Sequence, residues 1–137
     1  MAVVTPSSQG FAAVGRRLGD PASATVVAFC AAWCDSCAEF RSTLERIAQA
    51  RPDTIFVWLD IEDDSEICGD IDIENFPTLA IFRGEQLLHY GVSLPLQGAV
   101  SRLIDEVAAR HVIEVSGPRA VSDLPHRLRA TISGEKS

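Results

Sequence analysis

The residues with the most chemistry to offer are four cysteines: Cys30, Cys34, Cys37 and Cys68. Two of them, in Cys34-Asp35-Ser36-Cys37, stand one helical turn apart if a helix begins there. A thiol attacks a disulfide only as the thiolate, and an unperturbed thiol with pKa near 8.5 is only about 3% ionised at pH 7. The positive end of a helix favours the thiolate by roughly 0.3–1 kcal/mol. Asp35 works against it, because a carboxylate beside a developing negative charge disfavours that charge. The spacing thus predicts a reactive pair in which Cys34 attacks and Cys37, one turn further in, resolves the mixed disulfide. A four-residue loop closes too little chain entropy to be a stabilising staple.

Other chemistries for these cysteines are weaker. Cys30-x3-Cys34-x2-Cys37 has the spacing of an iron–sulfur loop in radical enzymes, but those need a much larger barrel. Cys30 reads instead as a small buried hydrophobe at a strand end. Zinc would want a second ligand pair, and Cys68 with His89, His111 and His126 supplies no ligand spacing. No histidine has an obvious orienting partner for cysteine-protease chemistry. Cys68 reads as a partly buried free thiol on a short helix, with a regulatory thiol as the alternative.

The elements that must position the pair follow from hydrophobic periodicity. Val3-Val4 can open an edge strand, and Ser7 or Ser8 caps a helix carrying Phe11, Val14 and Leu18, stopped by Gly19-Asp20-Pro21. Thr25–Cys30 is a continuous apolar run, the pattern of a strand buried on both faces. Cys37, Phe40, Leu44, Ile47 and Ala48 form a helical stripe closed by Arg51-Pro52, and Thr54–Leu59 is a second buried strand. A strand–helix–strand connection of this length implies a parallel pair. Thr78–Phe82 and Gln86–Tyr90 flank Arg83-Gly84-Glu85 as a hairpin. Leu96, Val100, Leu103 and Val107 mark a further helix with Ser93 as its cap.

Between the second strand and the hairpin, residues 60–74 hold eight acids and no Lys or Arg. They fail as a calcium loop: counting from Asp60, position six is Ser65 and position twelve is Ile71. A solvated face that repels acidic partners is the simpler reading. Beyond His111 the character changes. Val112–Val115 can add a strand, and Val121, Leu124, Leu128 and Ile132 are spaced for one helix face. Residues 111–137 are expected to be a flexible or loosely docked tail.

Composition narrows the function classes. The 137 residues make one domain, 47% hydrophobic and 23% charged, with net charge −7 from 19 acids and 12 bases. Nucleic-acid binding needs a basic face, and the body of the chain has none. The longest apolar stretch, Ala22–Trp33, is too short to span a bilayer, so no membrane role is expected. The first residues show no secretory signal, which with the cysteine pattern predicts a cytoplasmic protein. A single lysine against eleven arginines is the usage of a GC-rich bacterial genome.

A C-x-x-C opening a helix directly after a buried strand resembles the thioredoxin family. Trp33 before the first cysteine resembles the family's WCxxC, Phe76-Pro77-Thr78 its cis-proline loop, and Gly91 a glycine lining its substrate groove. With Phe11 in the first helix, the resemblance covers residues 1–110. It implies an α/β thioredoxin fold, a central mixed sheet of four to five strands flanked by helices on both faces. It also implies a redox-active Cys34–Cys37 disulfide, a substrate groove of Trp33, Phe76, Pro77, Thr78 and Gly91, and Pro77 in cis. The implied partners are disulfide-containing proteins and a flavin- and NADPH-dependent thioredoxin reductase. The chain itself needs no cofactor or metal and is expected to be a monomer.

The sequence also departs from the family. Asp35-Ser36 replaces the usual Gly-Pro, which leaves the direction of the reaction open. Ala28 and Trp58 occupy the places of the family's buried aspartate and its lysine partner. That exchange often leaves stability unchanged but removes a proton acceptor for Cys37. The reading is a thiol–disulfide oxidoreductase that reduces protein disulfides. Its alternatives are a more oxidising, isomerase-like protein and a thioredoxin-fold interaction module with little turnover.

Overall fold

The computed structural model describes residues 3–6, 11–20, 23–31, 34–68, 71, 77–92, 96–109, 121 and 123–133. In chain order these form β1 (Val3–Val4), α1 (Ala12–Leu18), β2 (Ala24–Cys30), α2 (Asp35–Gln49), β3 (Thr54–Asp60) and α3 (Ser65–Cys68). Then follow β4 (Thr78–Arg83), β5 (Gln86–Val92), α4 (Gln97–Ala109) and α5 (Leu124–Ser133).

The sheet order is β1-β3-β2-β4-β5. β1 and β2 both run parallel to β3, while β4 pairs antiparallel with β2 and with β5. The mixed five-stranded sheet is the one the resemblance implies, and its strand–helix–strand core is the one expected from periodicity. Gly84, with φ of 57°, turns the chain between β4 and β5, a conformation a side chain would resist.

Strand residues alternate between two cores, as a period of two requires. Val27 and Phe29 of β2 face α1, α3 and α5, packing with Val14, Leu18, Ile67, Leu124 and Leu128. Val26, Ala28 and Cys30 face α2 and α4, packing with Cys37, Phe40, Leu44, Val100 and Ile104. Helices therefore cover both faces. β2 is buried because it sits at the centre of the sheet, and its apolar run follows from that.

Within the segment expected to be a flexible or loosely docked tail, the described residues, 121 and 123–133, pack against the rest of the fold. Val121, Leu124 and Leu128 are fully buried. Arg127 of α5 donates hydrogen bonds from Nε to the Ile67 carbonyl at 2.6 Å and from Nη2 to the Cys68 carbonyl at 3.3 Å. These carbonyls close α3 and would otherwise need other donors. Arg129 also pairs with Glu85 at the hairpin turn. Apolar spacing at 124 and 128 thus describes a helix that, with Val121 before it, completes one core. The expected strand at Val112–Val115 and the caps at Ser7, Ser8 and Ser93 lie outside the described residues.

Candidate active site

The site forms where β2 ends and α2 begins. Cys34 is the N-cap of α2, extended at φ −93° and ψ 114°, and no side chain caps the helix there. Its N–H donates to the Ala31 carbonyl at 3.0 Å, and its own carbonyl accepts from Cys37 at 3.1 Å and Ala38 at 3.3 Å. These bonds fix Cys34 and Cys37 on consecutive levels of the first turn. Cys34 is half-buried with a free thiol, whereas Cys37 is 1% exposed. An outer and an inner cysteine are what an attacking and a resolving thiol require.

Cys37 has a bonding partner other than the one the resemblance implies. It forms a disulfide with Cys30, across a Cα–Cα distance of 5.8 Å, and Cys34 remains free. Cys30 is buried at the strand end as expected, but it is bonded to Cys37 there and is not simply a small hydrophobe. Sequence spacing emphasises Cys34–Cys37 because those two lie in one turn. Strand alternation carries the signal for the other pair: positions 26, 28 and 30 all face α2, so the last of them meets the inner side of its first turn.

A cleft of about 510 Å³ opens beside the cysteines, lined by Cys34, Cys37, Arg41, Trp58, Asp60 and Asp64 among others. The Arg41 guanidinium lies 5.1 Å from the centre of the Trp58 ring, a cation–π distance. Asp60 ends β3 as the register partner of Cys30. Its Oδ1 accepts from the Glu62 N–H at 2.8 Å and the Asp63 N–H at 3.0 Å, and its own N–H donates to Asp64 Oδ2 at 2.8 Å. The start of the acidic segment is therefore a folded turn at the cleft as well as a solvated face. Burial is the main influence raising the Asp64 carboxyl above its usual 3.8, aided by the charges of Asp60 and Asp63 and opposed by the hydrogen bond from Asp60.

Ala28 is fully buried, and its register partner on β3 is Trp58. The strands thus align the two departures that sequence counting identifies. Cys68 is 2% exposed, and burial, with the Asp64 charge next, pushes its thiol up to about 11. That fits the free buried thiol and leaves it a poor nucleophile at neutral pH.

Thr78 pairs with Phe29, which brings the start of β4, with buried Pro77 just before it, level with Cys30. Gly91 pairs with Leu79 one residue further along β4. The structure therefore gathers Pro77, Thr78 and Gly91 at the cysteine end of the sheet. Trp33, Phe76 and the isomer of the Phe76–Pro77 bond lie outside the described residues. Among the described residues no group of three or more His, Cys, Asp and Glu is placed to hold a metal. None of their helices is long and apolar enough to cross a membrane.

A family model described as Thioredoxin matches residues 8–105. Over 74 residues the chain is 39% identical to Sulfhydryl oxidase 1 of Gallus gallus, covering 50% of this chain and 10% of that one. Over 64 residues it is 25% identical to Thioredoxin of Ophiophagus hannah, covering 47% of this chain and 61% of that one. The chain spans less than two thirds of the length of either relative. Among solved structures, thioredoxin from Trypanosoma brucei brucei superposes with a TM-score of 0.61 at 24% identity, covering 77% of this chain and 90% of that one.

Proposed function

Because the chain belongs to the thioredoxin family, we propose that it is a thiol–disulfide oxidoreductase that reduces protein disulfides through Cys34 and Cys37. The observation that carries this reading is the free, half-buried Cys34 thiol at the mouth of the cleft, with Cys37 one turn behind it. The Cys34 thiolate attacks a substrate disulfide, forming a mixed disulfide and releasing a substrate thiolate. Reduced Cys37 then attacks Cys34 and releases the second substrate thiolate, leaving an intramolecular disulfide.

Substrate docks as an extended segment along the groove of Trp33, Phe76, Pro77, Thr78 and Gly91 by strand-like backbone pairing. Three cleft carboxylates, Asp60, Asp63 and Asp64, against the single guanidinium of Arg41 favour substrates with basic flanks. A cytoplasmic setting and a flavin- and NADPH-dependent reductase as electron donor belong to the same reading, since the cycle starts from a reduced dithiol.

A second reading is supported by the similarity to Sulfhydryl oxidase 1 together with Asp35-Ser36 between the cysteines. In it the couple is more oxidising and runs toward disulfide formation or isomerisation. The reduction potential separates the two readings. Equilibration in graded glutathione buffers, followed by alkylation and intact mass, should give a value near −270 mV for the reductase. A value above about −200 mV would overturn that direction in favour of the second reading.

A further inference from the structure

Cys37 is within bonding reach of two cysteines, and it can bond only one of them at a time. Cys30 holds it across 5.8 Å between Cα atoms, inside the usual range for a disulfide, so that bond requires no backbone displacement. Cys34 lies one turn away, tied to Cys37 by the 3.1 Å backbone hydrogen bond that starts α2. The three thiols differ in access: Cys30 is 0% and Cys37 1% exposed, while Cys34 reaches the cleft.

From this geometry we propose that Cys30 is a third redox residue, which takes over Cys37 by internal exchange after substrate reduction and returns Cys34 to the free thiol state. The proposal rests on the Cys34/Cys37 reading above. After turnover the Cys30 thiolate attacks Sγ of Cys37. The Cys30–Cys37 bond forms as the Cys34–Cys37 bond breaks, and Cys34 leaves as the thiolate. One disulfide is exchanged for another, so no external oxidant or reductant is consumed, and the proton lost by Cys30 is balanced by the one Cys34 can take up.

Position favours this direction. The new disulfide lies in the core among Ala28, Phe40 and Leu79, out of reach of external thiols. The displaced thiolate sits at the N-terminus of a 15-residue helix, where the macrodipole favours negative charge. Cys34 is also the gate for re-reduction. Its thiolate must attack Cys37 again, returning Cys30 to the thiol, before a reductant can reach a disulfide at the surface. The oxidised protein therefore keeps its attacking thiol while its disulfide is shielded.

A disulfide map of the oxidised full-length chain tests the exchange. The protein is oxidised with glutathione disulfide, and glutathione is removed. It is then labelled with N-ethylmaleimide under native conditions and digested without reduction. No Lys or Arg falls between Cys30 and Cys37, so the cuts are made after Trp33 and before Asp35. The expected map joins Cys30 to Cys37 and puts the label on Cys34. In Cys30→Ser the same treatment should join Cys34 to Cys37, and the rapid label should disappear. A wild-type map that joins Cys34 to Cys37 at every time of equilibration overturns the exchange. The parent reading has its own readout, insulin disulfide reduction by dithiothreitol, in which Cys34→Ser should lose the catalysed rate. Retention of that rate would overturn the Cys34/Cys37 reading, and with it the exchange, whatever the map shows.

Discussion

Ala28 and Trp58 stand directly opposite each other on the parallel strands β2 and β3, facing the same core as Cys37. An alanine methyl and an indole therefore fill a layer where the family resemblance implies a carboxylate and an ammonium. Trp58 also packs on Phe40, with ring centres 6.3 Å apart, and carries Arg41 on its face. Trp58 lines the cleft and Ala28 is fully buried beside it, and neither offers the inner cysteine a proton acceptor.

Ala28→Asp should restore one. The carboxylate would sit unpaired at a fully buried position, so a loss of about 3–5 kcal/mol in folding stability is expected. Resolution of a Cys34–substrate mixed disulfide should nevertheless quicken by roughly tenfold or more, within the range of positioned general bases. Stopped-flow decay of a mixed disulfide with a fluorescent substrate measures this. An unchanged rate in a folded variant would show that Cys37 loses its proton by another route.

Much of this site was legible before the structure. The Ala28 and Trp58 substitutions could be located by counting from Cys34, because buried strands keep a fixed register around a C-x-x-C helix start. The pairing of Cys37 was less accessible: Cys30 looks apolar within an apolar run, and its direction is set by the strand's alternation and not by local spacing. The role of Asp60 was hidden for the opposite reason. Among eight acids it resembled a solvated face, while in the fold it is 9% exposed and occupied by two backbone N–H groups. Likewise Leu124 and Leu128 have helical spacing in sequence, but only packing on α1 and α3 shows that their helix belongs to the core.

That packing makes Leu128 a sensitive position. It is fully buried in the core with Leu18 and Ile67, so Leu128→Ala should lower the unfolding free energy by about 2–5 kcal/mol. Urea denaturation should show a lower midpoint with little change in slope. A loss under about 0.5 kcal/mol, typical of a surface site, would contradict the docking of α5.

Gly91 offers a way to separate substrate binding from stability. A Cβ built there meets nothing closer than His89 Nε2 at 3.8 Å, an ordinary contact. Gly91→Ala should therefore leave stability within about 0.5 kcal/mol of wild type. If Gly91 lines the substrate groove, KM for a protein disulfide should rise several-fold while kcat changes little. Unchanged KM would remove this position from the groove.

Cys68 should be nearly inert to alkylation in the native protein. With its thiol raised from 9.0 to about 11, the thiolate fraction at pH 8 falls by roughly a hundredfold. Time-resolved iodoacetamide labelling should therefore modify Cys34 long before Cys68, with Cys68 becoming reactive on unfolding. Comparable native rates would reopen a regulatory role for Cys68.

Asp64 gives the fold a pH dependence with a definite sign. Its folded carboxyl titrates above the ordinary 3.8, chiefly because it is partly buried, so between those values the folded chain binds more protons than the unfolded one. Its contribution is complete below pH 3.8 and is lost as pH rises through the folded value. Asp64→Asn keeps an oxygen able to accept the Asp60 N–H but cannot ionise. Relative to wild type it should gain stability on going from pH 4 to pH 7, seen as a widening difference in urea midpoints. A difference that stays constant between those pH values, or narrows toward neutrality, would mean that Asp64 titrates alike in the folded and unfolded chain or with the opposite sign.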